Sequence, residues 1–254
     1  METIGVECET YNKRVSFDDC IKCGECFGNS PLHVKSIIDG HLDNKSYPVF
    51  DRVFFRASSL FECKKAWLFD KILEPKVYMP LLTMYIMLRG KVMHELIQRA
   101  YTWKETEFGV DFYYQGEPYR VQGTPDCLDP PRKSIHEIKS TRFFPSSSNM
   151  RVLSAFRPHI LQLSSYYSMG IEMGLGEIID NGKITYLGFS DYEVYEIDEL
   201  DYVLKDIEDW TSVVVKYYYK NKDRLEKDKE ASLLMPAKDK GVKCKKCMFA
   251  EYCI

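Results

Sequence analysis

The sequence predicts a mixed α/β fold in which helices flank a central sheet, and two observations support this prediction. The 254-residue chain is 45% hydrophobic and 29% charged, so it can bury a core and is too balanced in charge for wholesale disorder. Helical and strand-like patterns alternate from about residue 56 to residue 227, as they do in α/β domains. The longest uncharged apolar stretch, residues 77–88, is shorter than the roughly 20 residues that a membrane-spanning helix needs.

The first predicted elements are two helices. Ser59 followed by Glu62 resembles a capping box, and apolar residues then recur at helical spacing, which predicts a helix over residues 59–73. A second helix is predicted over residues 82–104.

Strands follow in the middle of the chain. Residues 111–115 and 119–123 flank Gly116-Glu117-Pro118, which predicts antiparallel strands joined by a turn. A third strand is predicted over residues 134–140. The remaining predicted elements are a helix at 159–173, strands at 183–189 and 193–197, and a long helix at 199–227.

The N-terminal residues differ from the rest in composition. Residues 1–50 are short on periodicity and rich in Cys, Asp and Gly, which predicts an irregular, metal-tied appendage. The main domain is then residues 51–254, including a cysteine-rich tail at 241–254.

The N-terminus has neither the basic nor the apolar region of an export signal, so we expect a cytoplasmic protein. Nine cysteines in a reducing compartment usually indicate metal binding.

Two further observations limit the function. The chain has no Gly-x4-Gly-Lys-Ser/Thr phosphate loop, so an ATP-driven motor is not expected. The net charge of -3 gives no global attraction to nucleic acid, so any such binding would depend on local patches.

The most informative chemistry lies at Asp126 and at Glu137-Ile138-Lys139. Two carboxylates on adjacent strands can converge on one hard cation, because Mg²⁺ takes one or two carboxylates and leaves its other positions to water and phosphate. Glu137 and Lys139 point to the same face of a strand, so the lysine can orient or help deprotonate a water that attacks a phosphodiester. The alternative is that Asp126 caps a turn and the other side chains form a solvated strand face.

Three more side chains extend this pattern. His94 offers a neutral imidazole as a further metal ligand, and Gln162 and Tyr166 lie one helical turn apart. The whole order resembles the RecB-like branch of the PD-(D/E)xK nuclease superfamily: His94, Pro125-Asp126, Glu137-Ile138-Lys139 and Gln162-x3-Tyr166.

This resemblance implies a restriction-endonuclease-like central sheet and a role for each residue. The implied ligands of Mg²⁺ or Mn²⁺ are His94, Asp126, Glu137 and the Ile138 carbonyl. Lys139 would be the catalytic lysine. Gln162 and Tyr166 would assist that lysine and contact DNA.

The C-terminal cysteines Cys244, Cys247 and Cys253 form a compact thiolate triad that needs a fourth ligand. Zinc and an iron–sulfur cluster both accept such a set, and Cys63 is the expected partner, although a single cysteine is more often a small buried hydrophobe. One cysteine before the His motif and three after the Gln–Tyr motif resemble the pattern of iron–sulfur RecB-like nucleases. These include the fourth CRISPR-associated (Cas) family and the nuclease domains of AddB-type helicase-nucleases. The resemblance implies a 4Fe–4S cluster that clasps the N- and C-terminal parts of the nuclease domain.

A second set of cysteines precedes the main domain. Cys8, Cys20, Cys23 and Cys26 could bind zinc or a second iron–sulfur cluster, and the spacing leaves both open. Cys127 is expected to be a spare, buried thiol.

A basic segment follows the predicted catalytic strand. Residues 132–157 contain six Arg or Lys, including Arg142, and one acidic residue, Glu137. Phe143 and Phe144 lie within this segment, and their rings could stack on unpaired bases. We therefore predict a loop that guides a single strand; the alternative is a solvated loop with phenylalanines packed on the core.

Together these patterns predict a metal-dependent deoxyribonuclease that acts on single-stranded DNA as an exonuclease. By resemblance it would trim spacer precursors during CRISPR adaptation, with the integrase proteins as partners. Two alternatives remain open: a viral or DNA-repair nuclease of the same fold, and a DNA-binding scaffold that has lost catalysis.

Overall fold

A computed structural model describes most of the chain between residues 2 and 227. The described residues are 2–8, 11–23, 31–42, 53–61, 63–64, 66–68, 76–104, 106–141, 144, 156–188 and 190–227. By their contacts, residues 1–49 and 73–95 form one compact unit, and residues 50–72 and 96–254 form a second. The predicted domain division at residue 50 stays a prediction, and the tail at 241–254 lies outside the described residues.

Both units contain helices and strands. In chain order they are β1 (Glu2–Cys8), β2 (Lys13–Val15), α1 (Phe17–Cys23), α2 (Pro31–Leu42), β3 (Phe54–Arg56), β4 (Lys76–Pro80), α3 (Leu81–Gln98), β5 (Trp103–Lys104), β6 (Phe108–Tyr114), β7 (Glu117–Gly123), β8 (Cys127–Asp129), β9 (Ser134–Ser140), α4 (Arg157–Glu172), β10 (Asn181–Leu187), β11 (Tyr192–Ile197) and α5 (Leu204–Lys227). Two 3-10 turns lie at Ala57–Ser59 and Pro130–Arg132. The mixed α/β class is therefore confirmed.

The first unit contains a three-stranded sheet in the order β2-β1-β4. Strand β1 pairs antiparallel with β2 and parallel with β4. Helix α1 begins after Ser16, whose hydroxyl accepts a hydrogen bond from Asp19 N at 3.1 Å, as N-cap side chains do. Val6, Ile38 and Met84 are buried in the core of this unit.

The expectation that residues 1–50 are irregular is therefore wrong for the part of this segment that the structure describes. The local sequence does not predict strand β1, because this strand is stabilised by pairing with β4, about 70 residues later in the sequence. Such nonlocal pairing has no counterpart in the local periodicity of the sequence.

The second unit is built on a five-stranded mixed sheet in the order β11-β10-β9-β8-β5. The central strand β9 is parallel to β10 and antiparallel to β8. Side chains alternate between the two faces of a strand, so Glu137 and Lys139 share one face of β9 while His136 and Ile138 share the other. All residues from Ser134 to Ile138 are buried, as expected for a central strand.

A smaller sheet in the order β3-β7-β6 lies in the same unit. Gln115 and Gly116 join β6 to β7 with φ angles of 53° and 88°, and a two-residue turn with positive φ suits the twist of a hairpin. The predicted strands on either side of this turn are confirmed, and both begin before their predicted starts.

Helix α4 packs on the larger sheet and contributes to the main core. Leu163 and Met169 are fully buried in a cluster with Ile135 and Ile184. Burying one such side chain stabilises the fold by about 1.5–3 kcal/mol.

The later predicted elements are confirmed, most with shifted ends, except that Trp103 and Lys104, predicted to end a helix, form strand β5. The predicted start of the first helix at Ser59 is wrong. The predicted helices 82–104, 159–173 and 199–227 correspond to α3, α4 and α5, and the predicted strands 134–140, 183–189 and 193–197 correspond to β9, β10 and β11. Ser59 lies in a 3-10 turn and its hydroxyl donates to the Arg56 carbonyl at 2.9 Å, so it caps no helix. Helical backbone is described at residues 64 and 66–68.

Across the described residues, no helix is long and apolar enough to span a membrane.

His136 makes the stability of the second unit depend on pH. Burial lowers its pKa from 6.5 to about 4, and the charge of Lys183 adds to this effect. Between pH 7 and pH 5 the unfolded chain binds more protons at this residue than the folded chain, so its contribution to the free energy of unfolding falls by about 2 kcal/mol. We expect His136→Gln to lose less stability than the wild type over this range, measured by urea unfolding at both pH values. An equal loss in both proteins would contradict this expectation.

Candidate active site

The pairing of β8 with β9 brings the two predicted carboxylates together. The register places Cys127 opposite His136, so Asp126 and Glu137 are the next residues on the two strands. The Ile138 amide donates a hydrogen bond to Asp126 Oδ2 at 2.7 Å. The Asp126 carboxylate therefore lies beside the peptide that joins Glu137 to Ile138. Gln98 Nε2 also donates to the Asp126 carbonyl at 3.0 Å, which fixes the backbone of Asp126.

Glu137 and Lys139 form an ion pair on the same face of β9. Lys139 Nζ lies 2.6 Å from Glu137 Oε1, and the two side chains are 23% and 5% exposed. A buried carboxylate is strongly disfavoured unless a charge partner and hydrogen bonds compensate its lost hydration. The lysine two residues along the strand supplies that charge.

Gln162 from α4 connects this ion pair to the helix. Its Oε1 accepts from Lys139 Nζ at 2.9 Å, and its Nε2 donates to Glu137 Oε1 at 2.9 Å and to the Tyr166 hydroxyl at 2.6 Å. These bonds fix the orientation of the amide, because a reversed amide would place its NH₂ group against the lysine ammonium. Burial raises the pKa of Tyr166 well above 10.0, and the charge of Glu137 adds to this effect, so the phenol stays protonated.

A histidine that the sequence analysis missed lies near the same lysine. His159 is one helical turn before Gln162, and its Nδ1 lies 2.8 Å from the Tyr186 hydroxyl. Burial, together with the positive charge of Lys139, lowers the pKa of His159 to about 4. His159 is therefore neutral at physiological pH. Its spacing of three residues from Gln162 was the available signal, since residues i and i+3 share a helix face.

The carboxylate oxygens at this site are suitable ligands for a hard divalent cation. Mg²⁺ prefers oxygen ligands and is commonly held by one or two carboxylates, and Asp126 and Glu137 supply two. In the described part of the chain, no group of three or more His, Cys, Asp or Glu side chains is arranged to hold a metal ion. The named hydrogen bonds reach Asp126 Oδ2 and Glu137 Oε1, and a carboxylate has about four lone-pair positions. The Ile138 carbonyl is a further oxygen of the same class.

The other predicted site residues are divided between the two units. His94 is half-buried on α3 in the first unit, and its role as a ligand stays a prediction. Cys8 and Cys20 are buried and Cys23 is exposed in that same unit, whereas Cys63 is exposed in the second unit. The predicted residues outside the described part of the chain are Cys26, Arg142, Phe143, Cys244, Cys247 and Cys253.

The prediction that Cys127 is a buried thiol is confirmed. Its side chain is fully buried. Burial, together with the charges of Asp126 and Glu137, raises the pKa of this thiol to about 12. Cys127 is therefore a protonated thiol beside the carboxylates.

Phe144 and Tyr166, two predicted DNA contacts, are packed within the protein. Phe144 is half-buried against the main core, and a Cβ atom on Gly188 would come within 2.4 Å of its ring. This position favours the alternative of a core-packed phenylalanine. Tyr166 is 3% exposed, and its contact with DNA stays a prediction.

Comparisons with known proteins give a fold without a function. No family model matches the chain, and no curated protein matches it. The crystal structure of SSO0001 matches 86% of this chain and 93% of its own chain, at 18% identity and a TM-score of 0.50. This likeness shows a shared fold. Two crystal structures of Scheffersomyces stipitis Rai1 match at 17% and 11% identity, covering 45% and 81% of this chain and 32% and 68% of theirs, with TM-scores of 0.24 and 0.32.

We expect Tyr166→Phe to destabilise the second unit by about 1–2 kcal/mol, because a buried N–H of Gln162 loses its acceptor. The free energy of urea unfolding measures this effect. Tyr113→Phe is the matched control, since Tyr113 is 70% exposed and surface changes usually stay within about 0.5 kcal/mol. Equal stabilities of the two variants would show that the bond between Gln162 and Tyr166 contributes nothing.

Proposed function

We propose that this protein is a metal-dependent DNA nuclease of the RecB-like PD-(D/E)xK type. The observation that supports it best is the hydrogen-bonded set at the centre of the sheet. Asp126 lies beside the Glu137–Ile138 peptide at 2.7 Å, and Lys139 contacts both Glu137 and Gln162 within 2.9 Å. Asp126, Glu137, Lys139 and Gln162, four of the residues singled out by their order in the sequence, are thus neighbours in space.

In this proposal each side chain has a separate task. Asp126, Glu137 and the Ile138 carbonyl would hold Mg²⁺ or Mn²⁺, with His94 as a further ligand by resemblance. When bound, the ion would lower the pKa of water and neutralise charge that develops on the phosphate. Lys139 would place its ammonium next to the reacting phosphodiester and stabilise its negative charge.

Gln162 would act as a positioning residue. It holds Lys139 Nζ through its carbonyl and Glu137 through its amide N–H, so the distance between cation and carboxylate is fixed before substrate binds. Preorganised groups of this kind need no rearrangement at the moment of reaction.

The finer proposal concerns substrate and context. The protein would cleave single-stranded DNA as an exonuclease and would trim spacer precursors in CRISPR adaptation, with integrase proteins as partners. A restriction-endonuclease-like fold and a cytoplasmic location belong to this proposal. Its support is the pattern of the sequence motifs, which the alternatives of a viral or repair nuclease would share.

Metal cofactors at the cysteines complete the proposal. Cys63, Cys244, Cys247 and Cys253 would bind a 4Fe–4S cluster that clasps the two ends of the nuclease domain. A second set would bind zinc or another cluster through Cys8, Cys20, Cys23 and Cys26.

We expect Lys139→Ala to reduce cleavage of end-labelled single-stranded DNA by at least about 100-fold in Mg²⁺ or Mn²⁺, because proton transfer and charge stabilisation at this position contribute roughly 10²–10⁴-fold. EDTA should abolish cleavage by the wild type. The matched control is Lys205→Ala, which removes a lysine from α5 whose side chain is 76% exposed.

Two outcomes would contradict the proposed nuclease function. Undiminished cleavage by Lys139→Ala, with urea unfolding showing a folded protein, would refute the role of Lys139. DNA binding without cleavage by the wild type in either metal would favour the scaffold that has lost catalysis.

We expect anaerobically purified protein to absorb near 400 nm and to contain about four irons, or about eight if the N-terminal cysteines hold a second cluster. Cys63→Ser should lose about four of these irons, because the cluster needs four thiolates. Cys127→Ala is the control and should keep its iron, since this thiol is buried with a raised pKa. Zinc without iron in the wild type would refute the cluster.

A further inference from the structure

The second unit has a cleft that the proposed chemistry does not use. Residues 100–103 and 128–132 line it, and its volume is about 530 Å³. Pockets for small ligands typically measure about 300–1,000 Å³. The cleft is therefore large enough for a nucleotide.

The walls of the cleft are held by regular structure. Edge strand β5 pairs with β8, with Trp103 opposite Leu128, and the 3-10 turn Pro130–Arg132 follows β8 directly. The hydroxyl of Tyr101 lies 2.8 Å from Nδ1 of His136, which is 3% exposed. The two rings also meet edge to face at 4.8 Å. Tyr101 is thus fixed to the central strand at the wall of the cleft.

Trp103 differs from the other two tryptophans of the chain. Trp67 stacks on Phe55 at 4.3 Å and Trp210 meets the same ring edge to face at 5.9 Å, so both serve the core. Trp103 is 43% exposed on an edge strand beside the cleft. An exposed indole is a strong platform for an unpaired base, because every base presents a π-face to it.

Positive charge accompanies this ring. The guanidinium of Arg132 lies 2.8 Å from Asp129, and the two side chains are 74% and 12% exposed. An ion pair with so exposed a partner is weak, and a guanidinium has five N–H donors, so Arg132 can contact a phosphate while it keeps this pair. Lys104 and Lys133 flank the lining residues in the sequence.

The cleft lies at the β5 edge of the sheet that carries the candidate active site. Trp103 pairs with Leu128, and Leu128 pairs with Ile135, so these three share the face of Glu137. Tyr101 contacts His136 on the opposite face, so the cleft wraps around this edge. At about 4.8 Å per strand and 3.3 Å per residue, Trp103 is about 12 Å from Glu137. A stacked DNA strand, at 3.4 Å per nucleotide, covers this distance in about three to four nucleotides.

We propose that Trp103, Tyr101 and Arg132 form a binding site for one unpaired nucleotide of a single-stranded DNA substrate, a few nucleotides from the bond that is cleaved. The indole stacks on the base, and the guanidinium contacts its phosphate. This site rests on the proposed nuclease function and adds to it a reason for preferring single strands: a base inside a duplex is stacked between its neighbours, so its face is covered and the indole cannot stack on it.

The test is a fluorescence titration of the whole protein with an unlabelled thymidine 12-mer, in EDTA so that no cleavage occurs. We expect the 12-mer to quench tryptophan emission of the wild type and to quench Trp103→Phe much less. The affinity of Trp103→Ala should fall about 5- to 100-fold, the equivalent of the stacking energy of one base. Arg132→Ala should weaken binding and reduce its dependence on salt.

Tyr113→Ala is the matched control, because Tyr113 is 70% exposed on β6 of the smaller sheet, outside the cleft. It should bind like the wild type. The site would be overturned if Trp103→Phe were quenched as strongly as the wild type and Trp103→Ala bound the 12-mer as tightly as the wild type. It would also be overturned if a blunt duplex of the same length quenched the wild type as strongly as the 12-mer does. These binding results are independent of the cleavage assay on Lys139→Ala, so failure of the cleft and failure of the nuclease are distinguishable.

Discussion

The burial of Glu137 on the central strand is the constraint on which the candidate site depends. The residue is 4% exposed, and a carboxylate that loses its water needs a charge and hydrogen bonds in return. Lys139 supplies the charge from the same strand, and Gln162 supplies an N–H from α4. The same ion pair places the Lys139 ammonium beside the carboxylate, which is what the proposed chemistry needs.

Helix α4 links this polar set to the core. Leu163 and Met169 are fully buried among apolar residues, while Gln162 reaches the ion pair on β9. The approach is close: a Cβ atom on Gly182 would lie 2.2 Å from Leu163 Cδ2, so this glycine lets the helix pack near β10. Hydrophobic packing thereby determines where the amide of Gln162 lies, and the core and the site are stabilised together.

The register of β9 decides which chemistry faces which side. A slip by one residue would move Glu137 and Lys139 to the opposite face and bring His136 in their place. Strand β9 is paired on both edges, with Cys127 opposite His136 on β8 and Ile184 opposite Glu137 on β10. Pairing on two sides fixes the register, and the same pairing extends through β8 to the edge strand that carries Trp103.

The sequence by itself determined the mixed α/β class, the main helices and strands, and the residues of the carboxylate set. These are local properties: periodicity marks an element, and Glu137 and Lys139 share a face because side chains on a strand alternate. Only the tertiary structure decided that Asp126 contacts the Ile138 amide, that His159 lies near Lys139, and that Phe144 packs on the core. It also decided that residues 2–8 form a strand and that Trp103 borders a cleft. Each of these depends on pairing or packing between residues far apart in the chain, and a local pattern contains no information about which distant surface will bury it.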